Sequence, residues 1–146
     1  MDKQQKRDFN AKNIAEFRSG DGTLSSFGDA PVLLLTTTGA KSGLRRTSPM
    51  MYLADDQDPD RVYVFASAAG ADTNPAWFEN LVAHPESITV EIGREELTAD
   101  AEVLPEPARA RTFAVQADRY PGFAAYQAKT SRPIPVAALN LHRDSK

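Results

Sequence analysis

Three cations with no acid between them stand in TTTGAKSGLRRTSP, residues 36–49, beside two glycines and a run of hydroxyls. A loop of that make-up can present backbone N–H groups from Thr38, Gly39, Ser42 and Gly43 to a phosphate, with Lys41 and Arg46 supplying charge. Arginine adds a planar donor fork matched to phosphate oxygens. It is not a Walker loop, which needs glycine directly before the lysine and another five residues earlier; this chain has Ala40 and Leu35 there. A solvated basic hairpin loop has the same composition.

A second stretch, ASAAGADTNPAWFENLVAHP, spans residues 66–85. Small residues from Ala66 to Ala71 allow close backbone approach to a flat ligand, and a helix N-terminus after them offers free N–H donors. A tight strand-to-helix turn followed by a core tryptophan, Trp77, explains the same residues. In a third stretch, residues 119–139, Tyr120, Phe123 and Tyr126 fall three apart and could wall a pocket or belong to ordinary core. Arg132, between two turns, reads as a structural cation binding carbonyls.

Other catalytic sets are missing. There is no Gly-x-Ser-x-Gly elbow, His84 before a proline reads as a helix-end residue, and Glu79, Glu91 and Glu95 show no pairing. With no cysteine and two histidines in 146 residues, disulfides, thiolate chemistry and the usual metal sites are not expected. The hard chemistry then falls to a cofactor, and the protein binds, orients and excludes water.

The elements that must position these stretches follow from periodicity. Residues 3–18 form a sparse amphipathic helix with Phe9, Ile14 and Phe17 as its apolar positions. Strands are expected at 32–37, 46–53 and 61–67, with Pro49 implying an edge or a bulge. Asn74 should cap a helix opened by Pro75, with Trp77, Phe78, Leu81 and Val82 on one side. A hairpin across Gly93 joins 87–92 to 95–103, helices follow at 107–118 and 122–130, and a strand at 134–141 closes the chain. Without βαβ alternation, this order favours a mostly β, α+β antiparallel barrel with peripheral helices, residues 1–20 forming the helix and 21–146 the barrel.

A net charge of −3 argues against nucleic-acid binding. The basic clusters at Lys3, Lys6, Arg7 and Lys12 and at Lys41, Arg45 and Arg46 suit a small polyanion better. No apolar run approaches the ~20 residues of a membrane span, and the polar start lacks a signal segment, so a cytoplasmic location is expected. Peripheral membrane contact through the basic helix stays open, as does a homodimer.

In this order and spacing the three stretches resemble the deazaflavin-dependent nitroreductase family of actinobacteria, coenzyme F420-dependent quinone reductases of the split β-barrel, flavin-reductase-like fold. The strongest anchors are LLLTTTGAKSGLRRTSPM, ASAAGADTNPAWFENLVAHP and YPGFAAYQAKTSRPIPV. The resemblance implies that Lys41 and Arg46 hold the coenzyme phosphate, aided by the backbone of residues 38–43, and that Pro49 and Met51 border the deazaflavin ring. It places Ala66, Ser67 and Ala71 in the loop over the ring, and Asn74, Pro75, Trp77 and Asn80 on the helix supporting that loop. Two departures stand out: Ala68 occupies a position that is lysine in many relatives, for which Arg45 or the basic helix could substitute, and Phe123 stands where the nitroreductases have a tyrosine. The implied reaction passes a hydride from the reduced coenzyme to a quinone, enone or nitroaromatic acceptor held below Tyr120, Phe123 and Tyr126, with Tyr126 or Ser67 as proton or hydrogen-bond donor. An FMN-dependent reductase and a deazaflavin-binding or carrier protein without turnover are the alternatives.

Overall fold

Seven strands pair antiparallel in the order β2-β1-β5-β6-β7-β4-β3 in a computed structural model that describes residues 3–20, 22–28 and 30–143. Met1, Asp2, Asp21, Asp29 and 144–146 lie outside the described residues, as do the side chains of Lys3 and Lys6 from the N-terminal basic cluster. The strands are β1 (Val32–Thr38), β2 (Arg45–Met51), β3 (Leu53–Ala54), β4 (Arg61–Phe65), β5 (Ile88–Ile92), β6 (Glu95–Val103) and β7 (Val136–Leu141). The helices are α1 (Lys3–Ser19), α2 (Ala76–Ala83), α3 (Ala108–Arg119) and α4 (Gly122–Ala128).

β2 and β3 lie at opposite ends of the sheet, yet only Tyr52 separates them in the chain. The sheet therefore curls until its ends meet, giving an antiparallel half-barrel with peripheral helices. The single strand expected over 46–53 is broken at that joint, where the Tyr52 amide donates to the Pro31 carbonyl. Pro49 is tolerated because β2 is an edge strand and its missing donor breaks no inner ladder.

Strand alternation sorts the apolar residues onto two faces. Leu33, Leu35, Val62, Val64, Val90 and Leu139 fill the inside of the curl, and Leu81 of α2 closes it. On the other face Phe65, Val136 and Ala138 pack against Phe113 and Phe123 of α3 and α4. Around β1, Val32 and Leu34 meet Phe17 and Ile14 of α1. Two helical positions depart from expectation: Phe9 is 42% exposed and Val82 50% exposed, each turned from the sheet its helix covers.

Candidate functional site

At the β2 edge, α1 and α2 stand apart and leave a groove of about 460 Å³, lined by Arg7, Asn10 and Ile14 of α1, Arg46 and Ser48 of β2, and Trp77 and Asn80 of α2. Beside it lies a slot of about 250 Å³ walled by Phe27, Pro49, Met51, Phe65, Phe123 and Tyr126 and floored by Ser67, Ala68 and Ala69. Trp77 lines both. The two spaces therefore adjoin, one cationic and open, the other apolar with hydroxyls at Ser67 and Tyr126.

Alternation along β2 puts Arg45 and Arg46 on opposite faces of the strand, and both reach the groove at its edge. Arg45 turns to the opposite face, where its guanidinium donates to Thr38 Oγ1 (2.9 Å), Thr89 Oγ1 (2.9 Å) and the Ser87 carbonyl (2.5 Å). It stands at the rim of the groove, but its fork is committed to pinning β2 and β1 to β5. Lys41 is exposed at the tip of the turn and lines neither space. Of the three loop cations, only Arg46 lines the groove with its fork uncommitted, and Arg7 from α1 adds charge there.

The turn is shaped by its own small residues. The Gly39 amide donates to the Leu44 carbonyl and the Gly43 amide to the Gly39 carbonyl, while the Ser42 hydroxyl accepts from the Leu44 amide. A Cβ on Gly39 would lie 2.4 Å from Ser42 Oγ, so a side chain there would push that hydroxyl off the Leu44 amide. Asn80 Oδ1 accepts from the Ala40 amide at 3.0 Å, joining the turn to α2.

The floor of the slot is a strained turn. Ala68 and Ala69 have φ of 46° and 54°, left-handed values that cost an alanine about 1–3 kcal/mol each, and Gly70 follows at 85°. Arg132 holds this turn from behind. Its guanidinium donates to the carbonyls of Ala66 (3.2 Å), Ser67 (3.1 Å) and Ala71 (2.9 Å) and to Asn74 Oδ1 (3.0 Å). The expectation that Asn74 caps α2 is thus corrected: Asn74 gives its side-chain oxygen to Arg132, and Pro75, in extended conformation, occupies the cap position without a side-chain bond.

The remaining expected residues divide. Pro49, Met51, Ser67, Ala68, Pro75, Trp77 and Tyr126 line the slot. Ala66 and Ala71 act through their carbonyls, Ala66 being wholly buried. Tyr120 does not reach the slot; it follows the last turn of α3 and packs on the aromatic cluster, while Phe123, 8% exposed, meets Phe65, Phe113 and Tyr126 edge to face. Trp77, expected in the core, is only half-buried.

Sequence reasoning missed Asn10, Ala11 and Ile14 as groove residues, and Phe27, Met50 and Phe65 as slot residues. A signal for the first set existed: Arg7, Asn10, Ala11 and Ile14 follow the i, i+3, i+4, i+7 spacing of one helical face. Phe27 had none, because it sits in a 3-10 turn between α1 and β1. Among the described residues, no group of three or more His, Cys, Asp or Glu could hold a metal, and no helix is long and apolar enough to cross a membrane.

An apolar slot thus adjoins a cationic groove, both sharing Trp77. A family model described as F420H(2)-dependent quinone reductase matches residues 10–140. The chain belongs to that family. It is 37% identical over 118 residues to an F420H(2)-dependent quinone reductase of Mycobacterium tuberculosis, covering 77% of this chain and 74% of the relative. A solved F420-H2 dependent reductase (FDR-A) superposes with a TM-score of 0.65 at 34% identity, covering 75% of this chain and 93% of the other. A structure described as a domain-swapped dimer matches at TM-score 0.67 and 33% identity, covering 88% and 92%. A FAD-binding protein from Mesorhizobium loti, at 16% identity and TM-score 0.50 over 82% of this chain and 84% of its own, shares the split-barrel fold alone. The family takes its electrons from F420H2.

Proposed function

We propose that this chain reduces quinones, and related flat electrophiles such as enones, at the expense of F420H2. The observation that carries this reading is the sharing of Trp77 between the groove and the slot, which sets a coenzyme held by its tail in the groove against an acceptor held in the slot. When bound, the reduced deazaflavin supplies a hydride. Arg46 and Arg7 would hold its anionic tail by charge-assisted hydrogen bonds, with Asn80 lining the groove beside them.

Pro49, Met51, Phe65 and Phe123 give the slot dry walls, which favour a planar apolar acceptor and keep water from the reacting atoms. Reduction of a quinone to its hydroquinone needs a proton as well as a hydride. Ser67 and Tyr126 bring the hydroxyls of the slot, so Tyr126 is the candidate to hold or deliver that proton and Ser67 to orient a carbonyl. Phe123 brings no hydroxyl, which disfavours nitroaromatic acceptors that need a second donor.

Anaerobic titration with the oxidised coenzyme, followed by oxidation of the reduced form with menadione, tests the reading. Binding with menadione-dependent loss of F420H2 supports it. Binding without turnover across a panel of quinones would leave a carrier protein, and binding of FMN alone would overturn the cofactor.

A further inference from the structure

Four acceptors converge on one guanidinium at Arg132, and three of them are main-chain carbonyls from the turn that floors the slot. Arg132 lies 58 to 66 residues along the chain from those partners and does not line the slot itself. Such a cluster is more than a tie between loops, because the direction of a carbonyl fixes the direction of the next amide. In a trans peptide the C=O of one residue and the N–H of the next lie in one plane and point in opposite directions. Once the Ala66 and Ser67 carbonyls are drawn back onto Arg132, the Ser67 and Ala68 amides must face the other way.

We propose that Arg132 is a positioning residue for the reductase site: by holding the Ala66 and Ser67 carbonyls away from the slot, it aims the Ser67 and Ala68 N–H groups into it as a paired donor for the negative charge that develops on the acceptor as it takes the hydride. This rests on the function proposed above. The Ser67 carbonyl is doubly held, accepting from Arg132 and from the Gly70 amide at 2.8 Å, so the plane it shares with Ala68 is the best fixed of the turn. The left-handed Ala68 and Ala69 persist because that geometry is over-determined, the usual circumstance in which strain survives at a functional site. Gly70 closes the same turn against α4, where a Cβ would lie 2.8 Å from the Tyr126 carbonyl, so the turn is gripped on both flanks. Paired amides held before the ligand arrives need no reorganisation as charge develops, which is the physical basis of an oxyanion-type site.

Only a planar fork can serve four acceptors at once; a lysine keeps the charge and loses the geometry. The test is therefore Arg132→Lys, with Arg132→Gln beside it, read in two ways. Amide hydrogen exchange on the coenzyme-free chain should rise roughly 10-fold or more within residues 66–74 and stay unchanged in β1, β5 and β6, as expected for a local opening. Steady-state reduction of menadione by F420H2 should show kcat lowered roughly 100-fold, the scale of a misplaced site, with KM and coenzyme affinity within about threefold because the groove is untouched. A fully active Arg132→Lys overturns the proposal, whether or not exchange rises. So does a parallel loss of melting temperature, affinity and kcat, which marks a merely structural residue. If the wild-type chain neither binds the coenzyme nor reduces menadione, the proposed function itself fails and takes this role with it, whereas an active wild type matched by Arg132→Lys removes the positioning role alone.

Discussion

Asn80 Oδ1 accepts a hydrogen bond from the Ala40 amide at 3.0 Å, and this single contact ties the helix that carries Trp77 to the turn before Arg46. Truncation at Asn80 therefore frees the turn without touching the slot. Asn80→Ala should weaken coenzyme binding by about 0.5–1.5 kcal/mol, the net worth of one hydrogen bond. A fluorescence titration reads this as roughly a 2- to 10-fold rise in Kd, with the menadione KM unchanged.

The three loop cations should separate cleanly on mutation. Arg46→Ala should cost about 1.5–3 kcal/mol of coenzyme affinity, the range for hydrogen bonds to charged groups. Lys41→Ala, at an exposed tip outside the groove, should stay within about 0.5 kcal/mol. Arg45→Ala breaks three structural bonds and should lower the melting temperature more than the affinity. Equal losses from Lys41 and Arg46 would show that the turn closes over the tail when it binds.

Why the sequence told these arginines apart so poorly is instructive. Their side chains alternate across β2, which separates them once the strand is known to begin at Arg45; a strand begun at Arg46 leaves Arg45 in the loop with no face assigned. Periodicity identified most elements because their apolar residues face a core, and it mistook Phe9 and Val82 for the same reason, since spacing cannot tell which side of a helix meets protein. The capping rule chose Asn74 from local chemistry, and a cation 58 residues away overrode it. The place of Arg132 between two turns marked it as a carbonyl-binding cation, as the structure bears out, but which carbonyls it binds had no local signal because they lie 61 to 66 residues away, whereas the anchors that carried the family resemblance lie in continuous segments.

Half-burial changes what Trp77 is worth. A fully buried tryptophan costs about 3–5 kcal/mol on truncation. Trp77 is a shared wall instead, its ring edge-on to Phe78 at 6.1 Å, so Trp77→Ala should remain folded. Circular dichroism should show a native spectrum, and coenzyme binding should fall more than stability does.

Two carboxylates make stability depend on pH at the acid end. Asp100 is held below the ordinary range by hydrogen bonds from Asn140 (2.8 Å) and His142 (2.9 Å). Asp55 is lowered by the Tyr63 hydroxyl (2.5 Å) and by the amides of Gln57 and Asp58. A carboxylate with a depressed folded pKa adds stability above its unfolded value of about 3.9 and loses it as pH falls through the folded value. Urea midpoints should therefore drop below about pH 4, and Asp55→Asn with Asp100→Asn should flatten that drop. Solvent screening keeps the effect small, since the Asp100 side chain is 46% exposed.

The last prediction concerns how α1 reaches the acceptor. Glu16 grips the connector after α1 with both oxygens, Oε2 accepting from the Ser25 amide at 2.7 Å and Oε1 from its hydroxyl at 3.0 Å. Ser25 opens the 3-10 turn that ends in Phe27, and Phe27 walls the slot. Leu24, 1% exposed and packed with Phe17, anchors the connector independently, so breaking the Glu16 contact should loosen the turn without unfolding it. Phe27 contacts the slot and not the groove, which means the acceptor, rather than the coenzyme tail, should register the change. Glu16→Ala should raise the menadione KM about 3- to 10-fold, equivalent to about 0.7–1.4 kcal/mol of lost wall contact, and leave coenzyme Kd within twofold. Phe27→Ala should do the same more strongly, because it removes the wall itself. If both variants leave KM unchanged and alter only the coenzyme Kd, α1 serves the tail alone and Phe27 is no part of the acceptor site.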